Sequence, residues 1–290
     1  MMNKKIVLIG AGNVAHHLAP ALLRAGMNLC QIYSRTLESA RELGRKTGIT
    51  YTSDTFAVYP DGDIYIFCVS DDALLSVFKS LRINEEALIL HTSGSVPLDI
   101  FKPYRQNYGV LYPLQTFSKT RNLDFGEIPL CIEAPDKEVL KTIGQIADKL
   151  SSKVYEISSE KRKKLHLAAV LANNFTNHLY HMAGKLLEKE DLDFNLLRPL
   201  IFETAHKVMQ MIPENAQTGP ARRGDTNILN LHKSMLKDNR DIQTLYVLLS
   251  QSIQQTYSKK EKKEDYKWRE IDLAKEFKEN GGFVLENLIS

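Results

Sequence analysis

Cysteine is scarce in this chain of 290 residues, and its distribution narrows the class of protein. The three cysteines, Cys30, Cys68 and Cys131, lie far apart within apolar segments. They form no CxxC pair and no metal-ligand spacing, which argues against a disulfide scaffold and against a metal site. Buried, reduced thiols in a cytoplasmic protein are the expectation.

Long apolar runs and a large charge excess are also lacking. No segment approaches the ~18 unbroken apolar residues of a membrane helix, and Ile6–Ile9 is too short for the apolar part of a secretion signal. The net charge of +3 gives no strongly basic character. The basic run Lys161–Lys164 has no interleaved aromatic residues and is predicted to be a solvated helix start. We expect neither a membrane nor a nucleic acid as a partner.

Strand-like and helix-like segments alternate in the first half of the chain, which predicts an α/β fold of Rossmann type with a mostly parallel sheet. The predicted strands are short apolar or β-branched runs: Lys4–Gly10, Asn28–Tyr33, Ile49–Thr52, Asp63–Val69, Ala87–His91, Gly109–Tyr112, Leu130–Glu133 and Val154–Ile157. The predicted helices are Val14–Ala25, Leu37–Lys46, a helix capped by Asp71 or Asp72, and Lys137–Leu150. Ligands of such sheets bind at the carboxyl ends of the strands.

The second half contains no convincing strand and predicts an all-α domain. Its predicted helices are Lys164–Leu187, Asn195–Met211, Asn227–Leu236 and Arg240–Tyr257. Ile212–Asp225 holds two prolines and two glycines and is predicted to be a loop, and the charged tail from Ser258 is predicted to be a solvated helix. We therefore predict a nucleotide-binding domain at 1–157 and a helical domain at 158–290.

A glycine-rich turn follows the first predicted strand and opens the first helix, a context that makes GAGNVA a strong match to G-x-G-x-x-G/A. Gly10 permits a tight turn, and Gly12 lets the backbone approach a pyrophosphate. Ala15 is small enough for the helix to pack closely on the strand. Backbone N–H groups near Asn13 and Val14 are then expected to contact the phosphates at the helix N-terminus.

The end of the second predicted strand selects the form of the dinucleotide. NAD-binding versions place a carboxylate there, which bonds the ribose 2′-hydroxyl. This chain instead has Ser34, Arg35 and Thr36, and no acidic residue lies between Asn28 and Leu37. An arginine flanked by two hydroxyl groups binds a 2′-phosphate, so the cofactor is predicted to be NADP(H).

Residues after the fourth and fifth strands are expected to line the nicotinamide half of the site. They are Val69, Ser70, Thr92 and Ser93, with Gly94 next to them. Small polar residues on a flexible backbone can approach a ligand closely, although an ordinary turn remains an alternative for Ser93 and Gly94.

Several motifs together resemble those of a little-characterised bacterial family of NADP oxidoreductases. They are GAGNVA, SRT after the second strand, HTSGS after the fifth, YPLQTF at Tyr112–Phe117, HLAAVLANNF at His166–Phe175 and TGPARRGD at Thr218–Asp225. The resemblance spans nearly the whole chain, to about Tyr257. It implies a Rossmann-like NADP-binding domain followed by an all-helical domain. The arrangement is more distantly similar to pyrroline-5-carboxylate reductase and β-hydroxyacid dehydrogenases, whose helical domains often build a dimer.

The chain departs from those distant relatives at positions that matter for chemistry. β-Hydroxyacid dehydrogenases have a lysine and an asparagine four residues apart on the first long helix of the second domain. Matching Asn174 to that asparagine puts Val170 at the lysine position. Prephenate dehydrogenases carry His-Pro after the sixth strand, where this chain has Tyr112-Pro113. Neither mechanism transfers directly.

Candidates for proton handling lie on the helix that begins the second domain. His166 and Asn173 are seven residues apart and so share one face of an α-helix, and Asn174 lies beside Asn173. Histidine titrates near neutral pH and can hold or release a proton. Asparagines in an apolar helix are costly to bury unless they bond to something, either a ligand or neighbouring backbone.

The loop Thr218–Asp225 offers a second set of candidates. Arg222 and Arg223 can clamp a carboxylate or phosphate, and the family motif favours Arg223. Asp225 can orient one of these arginines or cap the next helix. A packed loop with solvated arginines is the alternative.

The sequence thus predicts an NADP(H)-dependent oxidoreductase for a small carbonyl or imine substrate, with a carboxylated substrate as one alternative. Its site is expected in the crevice between the domains, with His166, Asn173, Asn174, Ser93 and Arg223 as catalytic candidates and no metal. The alternative is a non-catalytic NADP(H)-binding or sensing protein with a helical interaction module. Apolar residues such as Leu245–Leu249 predict a homodimer through the helical domain.

Overall fold

The computed structural model describes residues 3–258, which contain one eight-stranded sheet followed by helices. The strands are β1 (Lys5–Ile9), β2 (Asn28–Tyr33), β3 (Thr50–Thr52), β4 (Ile64–Phe67), β5 (Leu88–His91), β6 (Tyr108–Pro113), β7 (Leu130–Glu133) and β8 (Val154–Glu156). Their order in the sheet is β3-β2-β1-β4-β5-β6-β7-β8. All neighbours are parallel except β6 and β7, so the predicted α/β class and mostly parallel sheet are confirmed.

The helices associated with the sheet agree closely with the sequence prediction. They are α1 (Asn13–Arg24), α2 (Leu37–Thr47), α3 (Asp71–Ser80) and α4 (Lys137–Leu150). Side chains of β1 alternate between two cores, as the two-residue period of a strand requires. Ile6 and Leu8 pack with residues of α1, α2 and α4, whereas Val7 and Ile9 pack with residues of α3. The sheet is therefore buried on both faces, which explains its continuously apolar strands.

One long helical segment follows the sheet. It begins as α5 (Ser159–Ala169), continues through a π-helical turn at Val170–Phe175 and ends as α6 (Thr176–Glu188). Leu165 of α5 packs against Val110, Tyr112 and Cys131 of the sheet. The chain divides into two compact units, residues 1–177 and residues 178 onward, so α5 belongs to the unit that contains the sheet. The domain boundary predicted at residue 158 lies earlier, at the end of β8.

The second unit is helical in the part that the structure describes. It contains most of α6 and the helices α7 (Arg198–Gln210), α8 (Pro213–Ala216), α9 (Pro220–Arg223), α10 (Thr226–Met235) and α11 (Arg240–Ser258). The prediction of a loop for Ile212–Asp225 is wrong in part, because α8 and α9 are single helical turns within it. Proline stands at the start of each turn, where its missing N–H costs nothing, and left-handed Gly224 ends α9. The predicted tail helix beyond Ser258 lies outside the described residues.

Candidate functional site

Gly10 forms a turn that no other residue can form without strain. It ends β1 with a φ of +112°, and its N–H donates to the Tyr33 carbonyl at 2.7 Å. A Cβ atom at this position would lie 2.5 Å from the Cys68 carbonyl oxygen. Gly12 differs, because a Cβ atom there would lie 3.9 Å from the same oxygen, an ordinary contact. The protein itself therefore leaves room at Gly12, as close approach of a ligand requires.

The first turn of α1 presents backbone N–H groups without a side-chain cap. Gly12 is the N-cap residue, and the first turn contains no acidic residue. Ala15 is fully buried against the sheet, Val14 is half-buried and Asn13 is exposed. The helix is 12 residues long, so its uncapped N-terminus favours a negative charge. This arrangement fits a pyrophosphate.

The end of β2 also fits an additional phosphate. Ser34 is tied to β3 by its N–H, which donates to the Thr52 carbonyl at 3.1 Å. Thr36 is the N-cap of α2, and its hydroxyl donates to Ser39 Oγ at 2.8 Å. Arg35 between them is exposed and forms no ion pair with any residue in 3–258. Its guanidinium is available for an anion from solution.

The ends of β4 and β5 lie beside the glycine turn. Val69 Cγ1 would be 3.2 Å from a Cβ on Gly10, which places it at the turn. Ser70 is exposed and is the N-cap of α3, whereas Asp71 and Asp72 occupy the first turn. The prediction that an aspartate caps this helix is therefore wrong by one residue. Thr92 is buried, and its hydroxyl donates to the Phe67 carbonyl at 3.1 Å, which joins β5 to β4.

Ser93 organises the turn after β5. Its hydroxyl oxygen accepts hydrogen bonds from the N–H groups of Ser95 and Val96, both at 3.0 Å. The turn function named as an alternative for Ser93 is thus present in the structure. Before it, His91 is fully buried, and its Nδ1 accepts from the Ser93 N–H at 3.2 Å. Burial, followed by the nearby Arg162 charge, lowers the pKa of His91 to about 3, so the ring is neutral at physiological pH.

Tyr112 and His166 meet at the carboxyl end of β6. The Tyr112 hydroxyl lies 3.0 Å from His166 Nδ1, and the two rings pack edge to face with centroids 6.0 Å apart. Burial raises the pKa of Tyr112 to about 12. Gly94 makes this contact possible, because a Cβ there would lie 2.7 Å from His166 Nδ1 and 2.9 Å from Tyr112 Cζ. The loop after β5, the end of β6 and α5 therefore converge on one point.

A buried ion pair fixes the start of α5 against the sheet. The Arg162 guanidinium is fully buried and bonds the Glu133 carboxylate, the Val96 carbonyl and the Ser159 hydroxyl. Glu133 also accepts from the N–H and the hydroxyl of Ser159, both at 2.7 Å. The prediction of a solvated helix start at Lys161–Lys164 is wrong at Arg162, since this side chain faces the sheet while the three lysines are exposed.

The two asparagine candidates lie in the π-helical turn. Asn173 is half-buried and Asn174 is exposed. A π-helical turn is wider than an α-helical turn, so seven residues no longer equal two turns between His166 and Asn173. The spacing argument that put these two residues on one helix face therefore does not apply here, and both stay candidates. Such turns within α-helices occur frequently at functional sites.

Arg223 belongs to the second unit, where it is exposed at the end of α9. The neighbouring Arg222 is committed to local structure, since it bonds the Gln217 carbonyl and lies over the Tyr257 ring, 5.0 Å from its centroid. Asp225 caps α10 by accepting from the Ile228 N–H at 3.3 Å. Both arginines are exposed, but Arg223 forms no ion pair with the residues in 3–258.

Two contacts at the candidate site are not visible in the sequence pattern. The pattern marks Tyr112 only as a departure from His-Pro, and Glu133 only as the end of a strand. Their partners lie 54 and 29 residues further along the chain, so no local pattern links them. The motif YPLQTF is the available signal for Tyr112, since it stands at the carboxyl end of a predicted strand.

Among residues 3–258 no helix is long and apolar enough to span a bilayer.

Family models match two parts of the chain. Residues 5–93 match the family described as NADP oxidoreductase coenzyme F420-dependent. Residues 128–253 match a domain of unknown function, DUF2520. The second match extends from the region of β7 through α5 to α11, and so covers Glu133, Arg162 and His166.

Three relatives place the chain more closely. A pyrroline-5-carboxylate reductase from Methanosarcina acetivorans is 29% identical over 110 residues, which cover 35% of this chain and only 40% of that protein. The pyrroline carboxylate reductase of Plasmodium falciparum, solved with NADP bound, has a TM-score of 0.56 and 14% identity over 88% of this chain and 99% of its own, which shows a shared fold.

The third relative is the crystal structure of a putative NADP oxidoreductase from Bacteroides fragilis. It has a TM-score of 0.84 and 48% identity, and the match covers 88% of this chain and 99% of that chain. These values confirm the family resemblance and the fold predicted from the sequence. The protein belongs to the same family of NADP oxidoreductases as the Bacteroides fragilis protein.

Proposed function

We propose that this protein is an NADPH-dependent reductase or dehydrogenase that acts on a small carbonyl or imine substrate. The observation that carries the proposal is the phosphate cradle formed by Gly10, Gly12 and the uncapped start of α1, with Arg35 free at the end of β2. The cofactor would supply the hydride, and the protein would bind and orient the cofactor and the substrate.

Each part of the cradle has one task. The N–H groups of Asn13 and Val14 would bind the pyrophosphate, while Ser34, Arg35 and Thr36 would bind the 2′-phosphate. The segments at Val69–Ser70 and Thr92–Ser93 would border the nicotinamide, because they follow β4 and β5 at the carboxyl edge of the sheet. The turn at Gly10 packs against Cys68, so the phosphate cradle lies next to the segment that would border the nicotinamide.

His166 is proposed to act on the reacting carbonyl or imine group, because it lies at the same edge beside Gly94. Asn173 and Asn174 remain proposed as hydrogen-bonding groups for the substrate. Arg223 remains proposed as the partner of a carboxylate or phosphate on the substrate, since its guanidinium is exposed. An anionic substrate follows from that last assignment.

Selective binding of NADPH tests the proposal. In calorimetric titrations of ligand-free protein we expect NADPH to bind much more tightly than NADH. Arg35→Ala should weaken NADPH binding about 10- to 100-fold, as loss of a charge-assisted hydrogen bond implies, and change NADH binding little. Arg41→Ala, an exposed arginine on α2, is the matched control and should change neither. Equal losses of both nucleotides in Arg35→Ala would remove the basis for NADP selectivity.

A non-catalytic NADP(H)-binding or sensing protein is the second candidate. It is favoured by Val170, which occupies the position that a lysine holds in β-hydroxyacid dehydrogenases. Steady oxidation of NADPH with any member of a carbonyl and imine panel would exclude it. Tight NADPH binding without turnover across the panel would support it.

We also propose a homodimer formed through the helical unit. Large apolar side chains are exposed along α6, α7, α10 and α11: Leu179, Leu200, Phe202, Met209, Leu231, Met235, Leu248 and Leu249. Monomeric proteins rarely expose so many, and a second copy of the same chain would cover them. A monomer mass in sedimentation at micromolar concentration would refute the dimer.

The three free cysteines support a reducing, cytoplasmic location.

A further inference from the structure

The contact between Tyr112 and His166 has a defined direction. Among residues 3–258 the hydrogen-bond partner of the Tyr112 hydroxyl is His166 Nδ1, at 3.0 Å. Tyr112 is only 8% exposed, so a hydroxyl hydrogen without an acceptor would be a buried donor with no partner, which is costly. The phenol stays protonated at physiological pH, because burial raises the pKa of Tyr112 to about 12. The O–H therefore donates, and Nδ1 accepts.

An imidazole that accepts at Nδ1 carries its proton on Nε2 when it is neutral. The Nδ1 side of the ring faces Tyr112 and Gly94, since a Cβ on Gly94 would lie 2.7 Å from Nδ1 and 2.8 Å from Cγ. The Nε2–H is on the opposite side of the ring, and His166 as a whole is half-buried. This N–H is a fixed donor at the carboxyl end of β6.

The surroundings keep the ring in this orientation. Arg162 lies one turn before His166 on α5 and is held by Glu133 and by the Val96 carbonyl, so α5 has one rotational setting. The charged or titratable groups near the Tyr112 hydroxyl are Cys131, Arg162 and Asp71. Because the rotation of α5 is fixed, the hydrogen bond from the Tyr112 hydroxyl decides which nitrogen of the His166 ring carries the proton.

We propose that Tyr112 is a positioning residue that holds His166 in its Nε2–H form, so that this N–H donates a hydrogen bond to the substrate's carbonyl oxygen or imine nitrogen. The proposal rests on the function proposed above. A donor aimed at the atom that gains electron density stabilises the transition state without a change in the charge of the ring, and the proton that this atom finally takes up comes from solvent water. No proton needs to leave Tyr112, so its high affinity for the proton is no obstacle.

Nitrogen NMR of the histidine ring tests the tautomer without cofactor or substrate. The protein is labelled with ¹⁵N-histidine, and His166→Gln identifies the His166 signals. We expect the wild type to show the Nε2–H form at pH 8. Tyr112→Phe keeps the ring packing but lacks the hydroxyl, so the His166 signals should shift towards an exchanging mixture of both forms.

Tyr108→Phe is the matched control on the same strand, because the Tyr108 hydroxyl lies 3.4 Å from Asp99 and not near His166. It should leave the His166 signals unchanged. A wild-type protein in the Nδ1–H form, or an unchanged tautomer in Tyr112→Phe, overturns the proposal. Tyr112→Phe should also keep its affinity for NADPH within about twofold, since the hydroxyl is bonded to His166 and not to the phosphate cradle.

Turnover tests the use of this donor. With a substrate from the carbonyl and imine panel, Tyr112→Phe should lower kcat about 10- to 100-fold and leave KM nearly unchanged. An unchanged kcat overturns the proposed role. Failure of the wild type to bind NADPH or turn over any substrate counts against the proposed function instead, whereas the NMR result reports on the positioning of His166 alone.

Discussion

Substitution of Arg162 by methionine is expected to destabilise the protein strongly, because it leaves a partner charge behind. The guanidinium is fully buried and bonds the carboxylate of Glu133 and the carbonyl of Val96. Removing one member of a buried ion pair costs about 3–5 kcal/mol. Glu133 is 16% exposed and keeps two bonds from Ser159, so we expect a loss near the lower end, about 3 kcal/mol in the free energy of unfolding.

Urea titration followed by circular dichroism measures this loss. Lys163→Met is the matched control, since Lys163 is the exposed neighbour on α5, and it should change the free energy of unfolding by less than about 0.5 kcal/mol. Adding Glu133→Gln to Arg162→Met removes the uncompensated charge and should recover about 1–2 kcal/mol. A loss below about 1 kcal/mol in Arg162→Met, or no recovery in the double variant, would refute the reasoning.

Two further predictions concern the sheet. Gly10→Ala should lower the free energy of unfolding by about 2–5 kcal/mol, because φ is +112° and the new Cβ would lie 2.5 Å from a carbonyl oxygen. Gly26 has a φ of +68° and open space around it, so Gly26→Ala should lower the free energy of unfolding by only about 1–2 kcal/mol in the same urea titration. Equal losses in the two variants would contradict this account. The pKa of His91 falls from 6.5 to about 3 in the folded protein, so the unfolded chain binds the additional proton and stability is lost as pH falls from 6.5 towards 3. This histidine contributes a slope of up to about 1.4 kcal/mol per pH unit, and His91→Gln should show a shallower decline between pH 7 and pH 5; an identical decline would contradict the assignment.

The fold was largely predictable from the sequence because its signals are local. The predicted segments Asn28–Tyr33, Leu130–Glu133 and Lys137–Leu150 coincide with β2, β7 and α4 residue for residue. Short apolar runs between turn residues specify strands, and a period of 3.6 residues specifies helices. The glycine turn was equally predictable from the sequence, since Gly10 and Gly12 follow a predicted strand and precede a predicted helix.

The arrangement around His166 was not predictable, because it depends on contacts between distant segments. Arg162 is one of four consecutive basic residues, and its burial follows from Glu133 on a strand 29 residues earlier. Tyr112 and His166 are 54 residues apart. The π-helical turn at Val170–Phe175 carries no local mark, since its residues also suit an ordinary α-helix.

The reversed direction of β7 and β8 determines which part of the chain has to be kept together in any exchange between relatives. Because these strands run opposite to β6, the chain leaves β8 near Glu133 and returns along α5 to the carboxyl end of β6. A chimera joined after β8 would take Tyr112 from one parent and His166 from the other. A chimera joined between residues 177 and 178 would take Tyr112, His166 and the buried Arg162–Glu133 ion pair from the same parent.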